Sequence, residues 1–421
     1  MWFICRIGGA ATLILAGLLS SFALPIEEWR TGDQQLVPLT YEPTQSEPNA
    51  SRRLWIDTDA ACGYSRRTDP DDCFAIALLA QFSDVQVVGI STVFGNGPLE
   101  VVNRTTIDLA SGLSAELRRP LPVYSGYPGP QTENSPPLKP PAHDALANAL
   151  AQGPLTIIAL GPLTNLAAVL RERPTLRTQI TRVLAVMGRR PGHLFHPAEG
   201  AGSGILFGHG PVFRDFNFVM DMGAVSEIVA LDVPITLIPY DAARGIEMTA
   251  DDLDRLGESN RVVAWIATRA RPWLGYWLQE IGRKGFSPFD LLAAAYVTDP
   301  YQFKCAPVRI WVGEDPTLFI PFWRSTALLV GQNAPSGNTM AVGSASYCAK
   351  ISADLKDRLV DRFVSWSKEF DAVLSEKAVA PVPPDQEPHQ RDRRVLVIGR
   401  AHSLQLPGRV QTSLPDVSEG N

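Results

Sequence analysis

The chain has 421 residues, of which 45% are hydrophobic and 19% are charged, and its formal net charge is -6. This composition is typical of a soluble globular protein with a sizeable core. The length allows two or three domains, and one large α/β domain with tails fits as well. The basic electrostatic footprint of proteins that bind nucleic acids or anionic membranes is missing, so neither is expected as a partner.

The first 23 residues predict an export signal. Arg6 supplies the positive start, ATLILAGLLSSFA the apolar stretch, and residues 21–23 a small-x-small cleavage site. The apolar stretch is shorter than the roughly 20 residues that span a bilayer, so we expect no stable membrane insertion after cleavage. The sequence therefore predicts an exported protein, either periplasmic or secreted.

Composition also divides the rest of the chain. Residues 24–52 are polar and interrupted by prolines, which is typical of a linker. Residues 53–370 are predicted to form a single α/β domain. Residues 371–421 become proline-rich and polar, and we expect them to form a loosely ordered C-terminal tail.

The cysteine count fits an oxidising compartment. Four cysteines remain once the signal is removed, namely Cys62, Cys73, Cys305 and Cys348. An even number in an exported protein is compatible with two disulfides, although the pairing stays open. A bridge between Cys62 and Cys73 would staple the loop between them, whereas a buried free thiol is the alternative for Cys73. Zinc is not expected, because no CxxC pair or histidine cluster accompanies these cysteines.

Strand-like and helix-like segments alternate from residue 53 onward. The first strand pattern, LWIDTD (54–59), precedes a helix pattern with an acidic start, DDCFAIALLAQF (71–82). Five more apolar strand patterns follow, at VQVVGISTVFG (85–95), LPVYSG (121–126), LTIIAL (155–160), VLAVMG (183–188) and PITLIPY (234–240). This alternation predicts an α/β fold, an open and mainly parallel β-sheet with helices on both faces. Ligands of such sheets bind outside the carboxyl ends of the strands.

Aspartates crowd that end of the first strand. Asp57 and Asp59 close the strand pattern, and Asp71 and Asp72 open the helix pattern. Carboxylates brought together without matching cations must either bind a cation or become protonated. One or two of them are explained by the helix dipole, but four are more than a helix start needs. Hard oxygen ligands in this number favour Ca²⁺ or Mg²⁺.

Five segments, in this order, resemble the inosine-uridine preferring nucleoside hydrolases. They are Asp57-Thr58-Asp59 with Asp71-Asp72, STVFGN (91–96), ALGPLTNLAAVL (159–170), FRDFNFVMDMGA (213–224) and SPFDLLAAAYVTDP (287–300). The resemblance covers residues 53–345 and implies the Rossmann-like nucleoside hydrolase fold. It also implies an enzyme, a calcium-dependent nucleoside N-ribohydrolase that yields ribose and free base.

Position by position, the resemblance implies a metal site and a general base. One Ca²⁺ would be held by the side chains of Asp59, Asp72 and Asp290 and by the backbone carbonyl of Leu160. Asp59 and Asp290 would be the catalytic carboxylates, with Asp59 accepting the proton of the attacking water. Asp57 would orient the groups that contact the metal.

The resemblance also implies the groups that bind a small ribosyl substrate. The ribose would contact Asp71, Asn96, Asp215 and Asn217. His209 would reach the 5′ end. Phe289 stands where the family usually has a histidine that protonates the leaving base, and phenylalanine can only stack or pack. The resemblance is compatible with a homo-oligomer.

Phe289 and the inserted segment AACGYSRRT (60–68) keep alternatives open. One is a calcium-ribosyl binding protein that holds a nucleoside or an ADP-ribose-like ligand with little turnover. Another is a hydrolase for a different ribosylated compound. The candidates for a replacement acid are His193, His196, His209, Tyr240 and Arg189. The full set of aspartates favours the enzyme.

Overall fold

The computed structural model describes residues 39–43, 52–132, 135, 138–191, 215–315, 326–335 and 339–378. The predicted signal at residues 1–23 lies outside them, as does most of the predicted linker and tail, so those assignments stay predictions. The chain divides into one compact unit that ends at Val373 and a second that begins at Leu374. The fold below belongs to the first unit.

Ten strands of the described residues form one sheet, in the order β1-β8-β10-β7-β6-β5-β2-β3-β4, with β9 paired to β8. The strands are β1 (Glu42–Pro43), β2 (Arg52–Thr58), β3 (Val85–Thr92), β4 (Val123–Tyr124), β5 (Leu155–Ala159), β6 (Ile180–Ala185), β7 (Ile235–Leu237), β8 (Phe303–Glu314), β9 (Thr326–Gly331) and β10 (Ala341–Ile351). Every pair from β10 through β7, β6, β5, β2 and β3 to β4 is parallel. The mainly parallel sheet is confirmed.

The far side of the sheet is antiparallel, which the sequence patterns did not indicate. β8 runs antiparallel to β10, β9 and β1. β1 lies within the segment predicted to be a linker. A disulfide between Cys305 and Cys348 joins β8 to β10.

Helices flank the sheet on both faces. They are α1 (Asp71–Gln81), α2 (Leu99–Leu117), α3 (Pro141–Ala151), α4 (Thr164–Glu172), α5 (Phe216–Met220), α6 (Met222–Ala230), α7 (Tyr240–Ala243), α8 (Ala250–Gly257), α9 (Arg261–Tyr276), α10 (Phe289–Thr298) and α11 (Leu355–Ala378). A π-helical turn, Trp277–Ile281, continues α9. α11 extends eight residues beyond the predicted domain end at residue 370. No helix of the described residues has the length and apolarity needed to cross a membrane.

Strand β2 shows why two layers of helices form. Its side chains alternate between the faces, so Leu54 and Ile56 pack into one apolar cluster and Trp55 into another. The first cluster includes residues of α1, α2, α9 and α10, and the second includes residues of α3, α4 and α6. Burial on both faces explains why the parallel strands are continuous apolar runs.

Helix α1 positions the acidic groups. Residues 71–80 are all buried, because α1 packs against α10 and against α9 as well as the sheet. Its first turn therefore lies beside the first turn of α10, at the carboxyl end of β2. A disulfide between Cys62 and Cys73 closes the inserted loop onto α1, so Cys73 is not a free thiol.

Candidate active site

Three carboxylates, which we call the acidic trio, meet where α1 and α10 begin. Ligand oxygens of Asp71, Asp72 and Asp290 all lie within 4.8 Å of one another. Each residue is at most 5% exposed. Two of them, Asp72 and Asp290, were predicted as metal ligands, and Asp71 was predicted to bind ribose. Such a spacing of buried oxygens suits one divalent cation.

Hydrogen bonds fix the trio but leave part of it unpaired. The backbone N–H of Asp290 donates to Oδ2 of Asp71 at 2.7 Å. The hydroxyl of Thr58 donates to Oδ1 of Asp72, and Nδ2 of Asn96 donates to its Oδ2 at 3.2 Å. No donor of the described residues reaches Oδ1 of Asp71 or Oδ1 of Asp290, although both atoms are buried. Unpaired buried acceptors are costly, and a cation between them would satisfy both.

Burial also changes the charge state of the trio. Burial, together with the adjacent charge of Asp71, raises the pKa of Asp72 to about 7. Burial likewise raises the pKa of Asp71, and that of Asp290 rises because of burial and of the charge on Asp71. A cation that binds the ionised form opposes these shifts, because opposite charge favours ionisation. The residues present therefore fit a bound divalent metal.

Asp59 lies next to the trio without belonging to it. Its Oδ2 accepts the backbone N–H of Asn96 at 2.9 Å, and its Oδ1 accepts Nδ2 of the same residue at 3.3 Å. The Asn96 amide therefore bridges Asp59 and Asp72. Burial and the charge of Asp72 raise the pKa of Asp59. A Cβ atom on Gly95 would collide with the Asp59 carboxylate, so this approach requires glycine.

Asp57, at the end of β2, connects this strand by hydrogen bonds to β3 and to the segment that follows β5. Its Oδ1 accepts the hydroxyl of Ser91 at 2.6 Å and Nδ2 of Asn165 at 2.7 Å, and its backbone carbonyl accepts the N–H of Leu160. Burial raises the pKa of Asp57 to about 7 despite these two donors. The sequence analysis assigned no role to Asn165. The only signal was its place in the segment ALGPLTNLAAVL.

Asn217 contacts the carbonyl that was predicted to bind metal. Its Nδ2 donates to the carbonyl of Leu160 at 2.6 Å and to that of Val186 at 3.2 Å. The Leu160 oxygen keeps a second lone pair, since a backbone carbonyl accepts two hydrogen bonds. Asn217 thus joins the loops that follow β5 and β6.

Asp215 uses both carboxylate oxygens within the fold. Oδ2 accepts the backbone N–H of Gly188 at 2.7 Å, and Oδ1 accepts that of Phe218 at 3.4 Å, which caps α5. Burial raises its pKa to about 6. The side chain still lines the cavity described next, so a ligand there would meet it.

A cavity of about 400 Å³ opens above these groups. Its polar walls come from Arg67, Asp69, Asp71, Asn96, Asp215, Asn217 and Asp290, and its apolar walls from Leu160, Val186, Phe216, Trp273, Tyr276 and Phe289. Phe289 stacks on Tyr240, with ring centroids 6.0 Å apart, and Trp273 stacks on Tyr276 at 5.2 Å. Acidic groups and aromatic rings in one cavity suit a molecule with a polar ring and a flat ring.

The predicted histidines contribute nothing to the described walls. His209, His193 and His196 lie outside the described residues. A further histidine, His143, is buried on α3, where Nδ1 lies 3.0 Å from the hydroxyl of Tyr127 and Nε2 lies 2.9 Å from Glu172. Arg67 is a wall residue whose role the sequence analysis missed, because only the folded insertion brings it to the cavity.

The comparisons with known proteins agree with this geometry. A family model described as inosine-uridine preferring nucleoside hydrolase matches residues 54–339. The pyrimidine-specific ribonucleoside hydrolase RihA of Photobacterium profundum is 23% identical over 286 residues, which cover 62% of this chain and 84% of that protein. The non-specific ribonucleoside hydrolase RihC of Escherichia fergusonii is 28% identical over 267 residues, which cover 58% and 82% respectively.

Solved structures show the same fold. A plant nucleoside hydrolase superposes with a TM-score of 0.58 at 17% identity, covering 75% of this chain and 99% of that chain. A purine-preferring ribonucleoside hydrolase from Gardnerella vaginalis superposes with a TM-score of 0.56 at 18% identity, covering 76% and 99%.

Proposed function

The chain belongs to the inosine-uridine preferring nucleoside hydrolase family, and we propose that it hydrolyses the N-glycosidic bond of ribonucleosides with the help of Ca²⁺. Membership supports an enzyme with glycosidase activity over a ribosyl-binding protein without turnover. One observation carries the proposal. The acidic trio places two buried, unpaired carboxylate oxygens beside a cavity of nucleoside size.

Calcium is proposed because every candidate donor is oxygen. Asp59, Asp72 and Asp290 are the proposed ligands, with the Leu160 carbonyl as a further oxygen. The position of Asp71 in the trio supports it as one more carboxylate ligand, in addition to its proposed contact with ribose. Ca²⁺ accepts six to eight oxygens in a flexible geometry, whereas Mg²⁺ demands a near-ideal octahedron. When bound, the cation makes a nearby water more acidic.

The side chains of the chain supply the remaining chemistry. Asp59 is proposed to accept the proton of the attacking water, since Asn96 holds both its oxygens in place. Ribose acquires oxocarbenium character as the glycosidic bond breaks. Fixed carboxylates stabilise that positive charge without reorganising, which is usually the largest contribution to catalysis.

Five further side chains are proposed to bind the substrate. Asn96, Asn217 and Asp215 line the cavity and are proposed to contact the ribose hydroxyls. Phe289 also lines it and is proposed to pack against the substrate. His209, outside the described residues, is retained as the proposed contact to the 5′ end.

Export is proposed for the location of the enzyme. The apolar, basic N-terminus of residues 1–23 supports it. So do the disulfides Cys62–Cys73 and Cys305–Cys348, because reducing compartments rarely allow two structural disulfides.

The test is release of reducing sugar from a panel of ribonucleosides: uridine, cytidine, inosine, adenosine and guanosine. The protein is assayed after chelation, and again with Ca²⁺ or Mg²⁺ restored. Release that depends on Ca²⁺ is expected. No release from any nucleoside under either cation would refute the proposed reaction, and equal release after chelation would refute the metal requirement.

Asp59→Asn tests the proton acceptor in the same assay. We expect release to fall by about 10²-fold or more, the range for a lost general base. The matched control is Asp108→Asn, because Asp108 is an exposed acidic residue on α2. Full activity of Asp59→Asn would exclude Asp59 as the base.

A further inference from the structure

The inserted loop brings one cation to the cavity. Arg67 lies in the segment 60–68, which the Cys62–Cys73 disulfide closes onto the start of α1. Its side chain lines the same cavity as Asp71 and Asp290. It is 68% exposed, whereas those carboxylates are buried. The cavity therefore has an anionic floor and a cationic mouth.

Two contacts hold the guanidinium of Arg67 at this mouth. It lies 5.2 Å from the ring centroid of Tyr276, a cation-π distance. Its Nη2 also donates to Oε2 of Glu280 at 2.6 Å. Glu280 belongs to the π-helical turn after α9, and π-helical turns are frequent at functional sites. The pair with Glu280 occupies only Nη2 among the contacts of the described residues, so other N–H donors stay available to a ligand.

Arg66 is the neighbour that does not reach the cavity. It pairs with Glu280 at 3.1 Å and donates to Gln279 at 2.7 Å, but it does not line the wall. Adjacent arginines thus share one carboxylate while only Arg67 faces the substrate cavity. This difference separates a role in catalysis from a role in holding the loop.

We propose that Arg67 contacts the departing base and stabilises the negative charge that develops on it. The proposal rests on the proposed function. When the bond between C1′ and the base nitrogen breaks, its electron pair stays on the nitrogen. Water then forms a bond to C1′ and gives one proton to a carboxylate. The base leaves as an anion and takes a proton from solvent, and the carboxylate returns the proton of the attacking water to solvent. Nucleoside and water thus become ribose and neutral base.

The position of Arg67 favours the base over the ribose as its target. The ribose is expected at the floor, where the carboxylates match its cationic character. A nucleobase fits between the rings of Trp273, Tyr276 and Phe289, since bases stack on aromatic side chains. Guanidinium offers only donors, and these match the oxygen and nitrogen acceptors of a base that carries negative charge. Phe289 cannot supply a proton to the base, so electrostatic stabilisation takes its place.

The experiment compares Arg67→Met, Arg67→Lys and Arg66→Met with the wild type. Each protein is assayed with uridine, with inosine, and with p-nitrophenyl β-D-ribofuranoside, whose nitrophenolate leaves without assistance. Arg67→Met should lower kcat for the two nucleosides by about 10- to 100-fold, the size of one hydrogen bond to a charged group. KM should change less, since the charge develops only as the bond breaks.

The controls separate this role from others. For the nitrophenyl substrate, Arg67→Met should lower kcat by less than about fivefold. Arg66→Met should lower kcat by less than about fivefold for every substrate, since about fivefold is the most that an exposed ion pair usually contributes. Arg67→Lys should recover part of the nucleoside rate, because it keeps the charge but loses the planar fork.

Two results would overturn the inference. Equal losses with nucleosides and with the nitrophenyl substrate would show that Arg67 supports the loop or binding rather than the departure of the base. Equal effects of Arg67→Met and Arg66→Met would show the same. If the wild type releases no ribose from any nucleoside, the proposed function itself fails, and this outcome is distinct because it appears before any variant is compared.

Discussion

The backbone N–H of Asp290 donates a 2.7 Å hydrogen bond to the Oδ2 atom of Asp71, across 219 residues of sequence. This bond joins the first turn of α10 to the first turn of α1. Both helix starts carry partial positive charge, which stabilises nearby carboxylates. The helix dipoles alone do not neutralise three buried carboxylates, so the convergence of the two helices creates a site that fits a bound cation.

Asp72→Asn tests that conclusion through stability rather than activity. Asp72 offers the trio an anionic oxygen, and an amide weakens cation binding because it carries no charge. Adding Ca²⁺ to the chelated wild type should raise the free energy of unfolding by about 2.7 kcal/mol at a hundredfold excess over Kd. The same addition should stabilise Asp72→Asn much less. Thermal unfolding with and without Ca²⁺ measures both.

The control for this prediction is an exposed acidic residue. Asp108→Asn, on the surface of α2, should keep the full gain from Ca²⁺. A gain in Asp72→Asn as large as in the control would show that the trio does not hold the ion.

Gly95→Ala should disrupt Asp59 through shape alone. The new Cβ would collide with the Asp59 carboxylate, so either the loop after β3 or that carboxylate must move. Overpacking of this kind costs about 1–3 kcal/mol, and ribose release should fall with it. The matched variant is Gly129→Ala, because a Cβ there meets nothing within 4 Å. Its stability and its rate of ribose release should equal those of the wild type. Unchanged activity in Gly95→Ala would contradict the tight packing around Asp59.

Much of the sheet could be predicted because its parallel strands are buried on both faces. The patterns at 54–59, 155–160 and 183–188 are short apolar runs between helix patterns, and β2, β5 and β6 form within or beside them. β8 could not be recognised in the same way, since buried and exposed residues alternate irregularly along it and it contains Pro307. It pairs with β10, which is distant in sequence: the two cysteines that join these strands, Cys305 and Cys348, are 43 residues apart. A local sequence pattern does not show such a pairing.

The candidate site was predictable to the extent that its residues are adjacent in sequence. Asp71 and Asp72 could be recognised because they are adjacent at the start of a helix pattern, and Asp290 was identified through the family resemblance. The grouping of Asp71 rather than Asp59 with the other two carboxylates depends on how α1 meets α10. The role of Arg67 could not be predicted for a similar reason, because it depends on contacts with Glu280 and Tyr276, which are distant in sequence.

Asp57→Asn should change how stability depends on pH. Burial raises the pKa of Asp57 from 3.8 to about 7 in the fold, so between these pH values the folded chain binds a proton that the unfolded chain has lost. Stability from this group is therefore lost as pH rises from about 4 to about 7, by at most about 1.4 kcal/mol per pH unit. Asparagine does not titrate, so the variant does not lose this stability. The free energy of unfolding of Asp57→Asn should therefore rise relative to that of the wild type as pH increases from about 4 to about 7.

Urea unfolding of both proteins after chelation, at several pH values from 4 to 8, measures this difference. Other buried carboxylates titrate equally in both proteins, so subtraction isolates Asp57. A stability difference that stays constant with pH would contradict the raised pKa.

The two disulfides should differ in what their loss affects. Replacing both cysteines of either pair with serine should cost about 2–4 kcal/mol, because each bridge restricts the unfolded chain. Cys73 directly follows Asp72, and its bridge closes the loop that carries Arg67 and Asp69. Cys62→Ser with Cys73→Ser should therefore also lower ribose release and weaken the stabilisation by Ca²⁺. Cys305→Ser with Cys348→Ser, between β8 and β10, should lower the unfolding temperature while sparing both functions below it. Activity is measured well below both unfolding temperatures. If the two double variants lose it equally, the inserted loop does not need the Cys62–Cys73 disulfide to shape the cavity.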